Sequence, residues 1–224
     1  MKIPFTVEQF FEVFGAYNTA IWPAQVFAYL FGLLALALAF RESKLSSRVI
    51  SGVLALFWIW MGIIYHMIHF RVINPVARIF GVFFVLQGLL FLLVGTILGR
   101  PAFRFTLEPV PILGACFILY AMAIYPLLGI AFGHSYPRVP MFGVAPCPTT
   151  IFTFSLLLWA KAPVPGYLLI IPLLWSLIGM SAAVHLQVPQ DYGLMVAGVL
   201  GTVLILIRNR KTMRLAQHAV AGAR

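Results

Sequence analysis

Side chains able to do chemistry are scarce in this 224-residue chain, which holds five His, two Cys and five Asp plus Glu. His66 and His69 stand three residues apart, a spacing that on a helix brings two imidazoles to one face, where they can share one ion. Zn or Cu takes histidine together with thiolate or carboxylate. His185 and Cys147 are the first residues expected to complete the set, with His134 and Asp191 as further donors. Gln25 and Asn74 could orient such ligands through hydrogen bonds. Were the ion to activate water, Glu8, Glu12 or Asp191 could serve as the base. A heme held by two histidines on different helices is a narrower version of the same chemistry. Histidines at a membrane edge also hydrogen-bond backbone or lipid headgroups, and an H-x-x-H pair alone leaves both uses open.

Cys147 lies in Pro146-Cys147-Pro148-Thr149-Thr150. Pro148 suits the first turn of a helix, which puts Cys147 at the N-cap, where the helix dipole favours a thiolate or a metal ligand. Cys116 falls inside an apolar run and reads as filler. Two cysteines cannot build a disulfide framework.

These residues must be positioned by helices in a bilayer. Apolar residues make up 62% of the chain and charged ones 9%, too few to coat a soluble domain. Seven apolar stretches emerge, at 22–40, 49–70, 79–98, 112–133, 148–160, 168–186 and 190–207, so the fold is expected to be all-α, a polytopic bundle of seven transmembrane helices. The fifth stretch is short, leaving six spans plus a re-entrant segment as the alternative. Residues 1–21 are expected to form an amphipathic helix on the outer membrane surface, with Val7, Phe10, Phe11 and Phe14 on one stripe and Thr6 with Gln9 as a capping box. Residues 22–207 then form one bundle, and 208–224 a basic tail. Glu8, Gln9 and Glu12 interrupt the apolar run that a signal peptide needs, so the first span is expected to be a retained anchor.

The net charge of +10 does not point to nucleic acid, since neither a basic face nor a binding motif accompanies it. Arg41, Lys44, Arg48, Arg100, Arg104, Lys161 and the tail fall on one side of a seven-span arrangement, against Lys2, Arg71, Arg78 and Arg138 on the other. The positive-inside rule then puts the N-terminus outside and the C-terminus inside. His66, His69, His134, Cys147, His185 and Asp191 all come to the outer side. Small residues form stripes at Gly52, Ala55, Gly62 and at Ser176, Gly179, Ala182, while Gly81, Gly88 and Gly95 recur every seven residues. Such faces allow close helix packing, within the chain or between copies in an oligomer. Pro126 and Pro172 lie inside spans and should kink them. No Asp, Glu, Lys or Arg lies deep in a span, which disfavours an ion-coupled pump.

Trp22-Pro23-Ala24-Gln25, Tyr65-His66, Ile73-Asn74-Pro75, Leu86-Gln87-Gly88, Tyr125-Pro126-Leu127-Leu128-Gly129, Cys147-Pro148-Thr149-Thr150-Ile151-Phe152 and Pro172-Leu173-Leu174-Trp175 together resemble a family of bacterial multi-pass membrane proteins, a domain of unknown function. The resemblance implies a bacterial inner-membrane protein and brings no activity, ligand or site residues. Function must come from the residues: an outer-face protein that binds a metal or small ligand and carries it across, a membrane enzyme acting with a metal on a lipid-like substrate, or a structural subunit whose seams serve assembly.

Overall fold

The computed structural model describes residues 4–186 and 188–222; Lys2, Gln187 and Arg224 lie outside them. The helices are α1 (Val7–Ala20), α2 (Ala24–Ala39), α3 (Lys44–Val72), α4 (Ala77–Ile97), α5 (Pro109–Ala131), α6 (Pro146–Trp159), α7 (Gly166–His185) and α8 (Pro189–Ala219). Five of these, α3, α4, α5, α7 and α8, are long and apolar enough to cross a bilayer. The pair α1 and α2 passes the same test only as one segment bent by 84°. Length and composition thus give five or six spans where the sequence led us to expect seven. The shortfall lies in α2 and α6, whose 16 and 14 residues rise only about 24 and 21 Å.

The short helix α6 occupies the centre of the bundle, with every residue but Cys147 buried. A helix sheathed by protein need not match the thickness of the hydrocarbon, because its ends meet loops and not lipid. Three of its four hydroxyls bond along the helix, which makes their burial tolerable: Thr149, Thr153 and Ser155 each donate to the carbonyl four residues back at 2.7, 2.9 and 2.8 Å. At its C-terminus Arg208 donates to the carbonyls of Leu158 and Leu157 at 2.8 and 3.1 Å, a cation at the negative end of the helix dipole. The helix begins at Pro146 with Ala145 as N-cap, so Cys147 stands inside the first turn and not at the cap. Pro146, rather than Pro148, takes the first position, where a missing N–H costs nothing.

The glycine stripes are used within the chain. A Cβ on Gly62 would come within 2.8 Å of the Gly81 carbonyl, and one on Gly88 within 2.9 Å of the Ala55 carbonyl, so α3 and α4 touch backbone to backbone. Ser176 and Leu194 fill the room beside Gly198 and Gly179 between α7 and α8.

Both mid-helix prolines leave a carbonyl four residues earlier without its helical donor. Each of these carbonyls is taken by a neighbouring helix: Tyr29 donates to Met122 at 2.9 Å opposite Pro126, and Gln87 donates to Leu168 at 3.1 Å opposite Pro172. Wide π-type turns at Met61–His69, Phe91–Ile97 and Tyr120–Ile124 were not signalled by periodicity.

Contacts sort the chain into two ends. At one, Phe103 and Ala160 form an antiparallel bridge, Glu42 pairs with Arg104 at 2.7 Å and with Lys161, and Asn209 clamps both backbone atoms of Val164 at 3.0 and 2.6 Å. Lys161 first and then Arg104 hold the Glu42 carboxyl below its usual range. At the other end α1, capped as expected by Thr6 and Gln9, covers the loop that follows α5. Asn18 donates to the carbonyls of Pro137 and Val139 at 2.6 and 2.8 Å, and Tyr17 to that of Val144 at 2.8 Å. The apolar stripe of α1 therefore faces the bundle: Phe10, Phe11 and Phe14 are buried, with Phe14 stacked on Tyr65.

Candidate functional site

Of the five acidic residues, Asp191 is the one that is buried, at 1% exposure. The turn Pro189–Asp191 delivers it to the start of α8, held by its own N–H on the Val188 carbonyl at 3.0 Å. Facing it, the wide turn and Pro126 of α5 bring Tyr125 to full burial, and the phenol donates to Asp191 Oδ1 at 2.6 Å. Tyr120 fastens the same corner by donating to the Gln190 carbonyl at 2.7 Å, and Gly193 leaves room for its ring. Cys147 lies beside Asp191, Tyr125 and Trp175. Among the described residues no Lys, Arg or His nitrogen comes within ion-pair distance of Asp191.

Asp191, Cys147, Asn74, Ser181 and the phenol-bearing Tyr65 are the polar residues lining a cavity of about 720 Å³ whose other lining residues are apolar. Phe10 and Phe14 of α1 close it from above, Tyr65 and Phe70 form one wall, and Phe80 with Trp175 another. Tyr65 and Phe70 stack at 5.4 Å, while Phe80 and Trp175 meet edge to face at 5.5 Å. Val76, Leu174, Leu177 and Ile178 also line the cavity yet are exposed on the outside. The cavity thus opens sideways between α4 and α7, onto the apolar outer face of the bundle. An elongated apolar molecule can enter there and bring a polar group to Asp191.

Of the residues singled out from the sequence, Cys147, Asp191 and Asn74 come together in this cavity, and no histidine lines it. His66 is buried behind the wall, with the rings of Phe84, Tyr65, Trp175, Phe70 and Phe80 at 4.6 to 6.0 Å and, among the described residues, no hydrogen-bond partner for either nitrogen. His69 is half-buried, its Nδ1 2.9 Å from the Ile64 carbonyl and its ring against Tyr17. His185 is exposed, with Nδ1 2.7 Å from the Ser181 carbonyl. His134 stacks on Phe11 at 3.6 Å, and its burial there lowers its pKa from the usual 6.5, against the opposing pull of Glu8. Glu8 pairs with Arg138 at 3.0 Å on the surface, and Glu12 is exposed beside the same arginine. Gln25 braces the elbow between α1 and α2 by donating to the Asn18 carbonyl at 2.8 Å. Asn74 Oδ1 accepts from the Val76 N–H at 3.2 Å. Among the described residues no group of three or more His, Cys, Asp or Glu side chains could hold a metal ion.

Sequence reasoning passed over Tyr125, Tyr65 and Trp175 as site residues. A signal for Tyr125 was present: a lone acid at the mouth of an apolar helix needs a buried donor, and the tyrosines were the remaining deep hydroxyl-bearing rings.

Neither a curated protein nor a solved structure matches the chain. A family model, described as a family of unknown function (DUF6064), matches residues 7–216, and the chain belongs to that family.

Proposed function

We propose that this protein is a multi-pass membrane protein that binds a small amphiphilic molecule, drawn from the hydrocarbon through the opening between α4 and α7. One observation carries the proposal: Asp191, among the described residues the only buried acid, lines a mostly apolar, aromatic-rich cavity whose rim is made of outward-facing Val76, Leu174 and Ile178. Pockets of a few hundred Å³ with apolar walls and a few convergent polar groups are the usual form of small-molecule sites. The scattered histidines favour an organic ligand over Zn, Cu or heme.

In this reading α2 and α6 run between the same two ends as the five longer helices, giving seven crossings. Arg41, Arg48, Arg100, Arg104, Lys161 and Arg208 gather at the end opposite the cavity, which we assign to the cytoplasm of a bacterial inner membrane, leaving the cavity in the outer leaflet.

The test is mass spectrometry of small molecules retained by protein extracted directly into lipid nanodiscs. An amphiphile near one per chain is expected in the wild type and should be lost in Cys147→Phe, which adds bulk to the cavity. Equal small-molecule content in the two proteins would overturn the proposal.

A further inference from the structure

Building on that proposed ligand site, we propose that the head group it accepts carries one positive charge: the ligand is a lipid-soluble ammonium on an apolar chain or ring system. A carboxyl taken out of water calls for a counter-charge, and none of the described cationic side chains supplies one to Asp191. The phenol of Tyr125 occupies Oδ1 and fixes the direction in which the carboxyl points. Around the same space stand two aromatic pairs, Tyr65 with Phe70 and Phe80 with Trp175. Aromatic faces attract cations, Trp most strongly, and the attraction grows where water is excluded. Carboxyl and ring faces therefore select the same charge, while an anionic head would meet Asp191 with repulsion. Because the opening lies among Val76, Leu174 and Ile178, the rest of the ligand must be soluble in hydrocarbon.

The experiment measures binding to wild-type protein in nanodiscs of three terminally brominated dodecyl compounds, bearing trimethylammonium, hydroxyl or sulfate. Bound chains are read by quenching of tryptophan fluorescence and corrected for partition into empty nanodiscs. The ammonium compound is expected to bind at least about tenfold more tightly than the other two, a preference that the carboxylate and the ring faces supply together. Asp191→Asn should reduce that preference to about twofold or less. Phe80→Leu, which keeps bulk and removes one ring face, should weaken the ammonium compound alone, so the answer does not depend on Asp191→Asn folding. Equal binding of all three compounds to the wild type, lost for all three in Cys147→Phe, would overturn the charge selection and leave the ligand site standing. Binding of all three that Cys147→Phe leaves intact would overturn the site itself, and the charge selection with it.

Discussion

The phenol of Tyr125 donates a 2.6 Å hydrogen bond to Oδ1 of Asp191, tying the end of the wide turn of α5 to the first turn of α8 across 66 residues of sequence. Both side chains are buried, so the bond is also the main thing that makes a carboxyl tolerable at that depth. Tyr125→Phe removes the donor and leaves the rings in place. It should destabilise the protein by about 1 to 3 kcal/mol, the cost of an orphaned buried acceptor, seen as a lower midpoint of thermal unfolding in detergent. An unchanged midpoint would mean that another group satisfies Asp191.

Gln87 and Pro172 should be energetically coupled although they lie on different helices. Gln87 exists, in structural terms, to occupy the Leu168 carbonyl that Pro172 deprives of its helical donor. Gln87→Leu alone should cost about 1 to 3 kcal/mol. In a Pro172→Ala background, which restores the N–H, the same change should cost less by at least about 0.5 kcal/mol. A double-mutant cycle of unfolding midpoints decides, and strict additivity would contradict the pairing.

The seam between α3 and α4 predicts opposite responses at two nearby glycines. Gly88→Ala places a methyl within 2.9 Å of backbone atoms of Ala55 and Ile59, so the helices must part, at about 1 to 3 kcal/mol. Gly52→Ala meets nothing closer than Thr96 Oγ1 at 3.6 Å and should be neutral or stabilising by up to about 1 kcal/mol, from helix propensity. Thermal unfolding of both variants, run side by side, tests the seam.

Stability should fall with acid in a window set by His134. Its pKa is lowered in the fold, chiefly by burial against Phe11, so the folded protein resists a proton that the unfolded chain accepts near 6.5. The contribution is fully present above that value and is lost as the pH falls below it toward the lower folded pKa. Unfolding midpoints between pH 7.5 and 5 should show a decline that His134→Gln flattens; equal slopes would assign the decline elsewhere.

The helices and the glycine seam were legible because each rests on a local pattern: apolar runs, heptad glycines, and the Thr6–Gln9 cap. Orientation of the α1 stripe was not, since Phe10, Phe11 and Phe14 look the same whether they face lipid or Tyr65 and Phe70. Depth misled at the candidate site. The three-residue spacing of His66 and His69 puts both on one face only of a regular α-helix, whereas the wide turn Met61–His69 gives one an aromatic box and the other a backbone carbonyl. Asp191 and Cys147 were found by residue type alone, whereas Tyr125 and Trp175 join them through contacts separated by tens of residues, which no single-sequence pattern encodes.

The most direct measurement is photo-crosslinking of an alkyl-diazirine ammonium amphiphile to the protein in nanodiscs, with adducts mapped by peptide mass spectrometry. Adducts concentrated on the segments carrying Phe80, Cys147 and Trp175, and lost when unlabelled amphiphile is added in excess, are expected. Adducts spread evenly over the outward faces of α2, α5 and α8, and insensitive to competitor, would contradict a ligand site at Asp191.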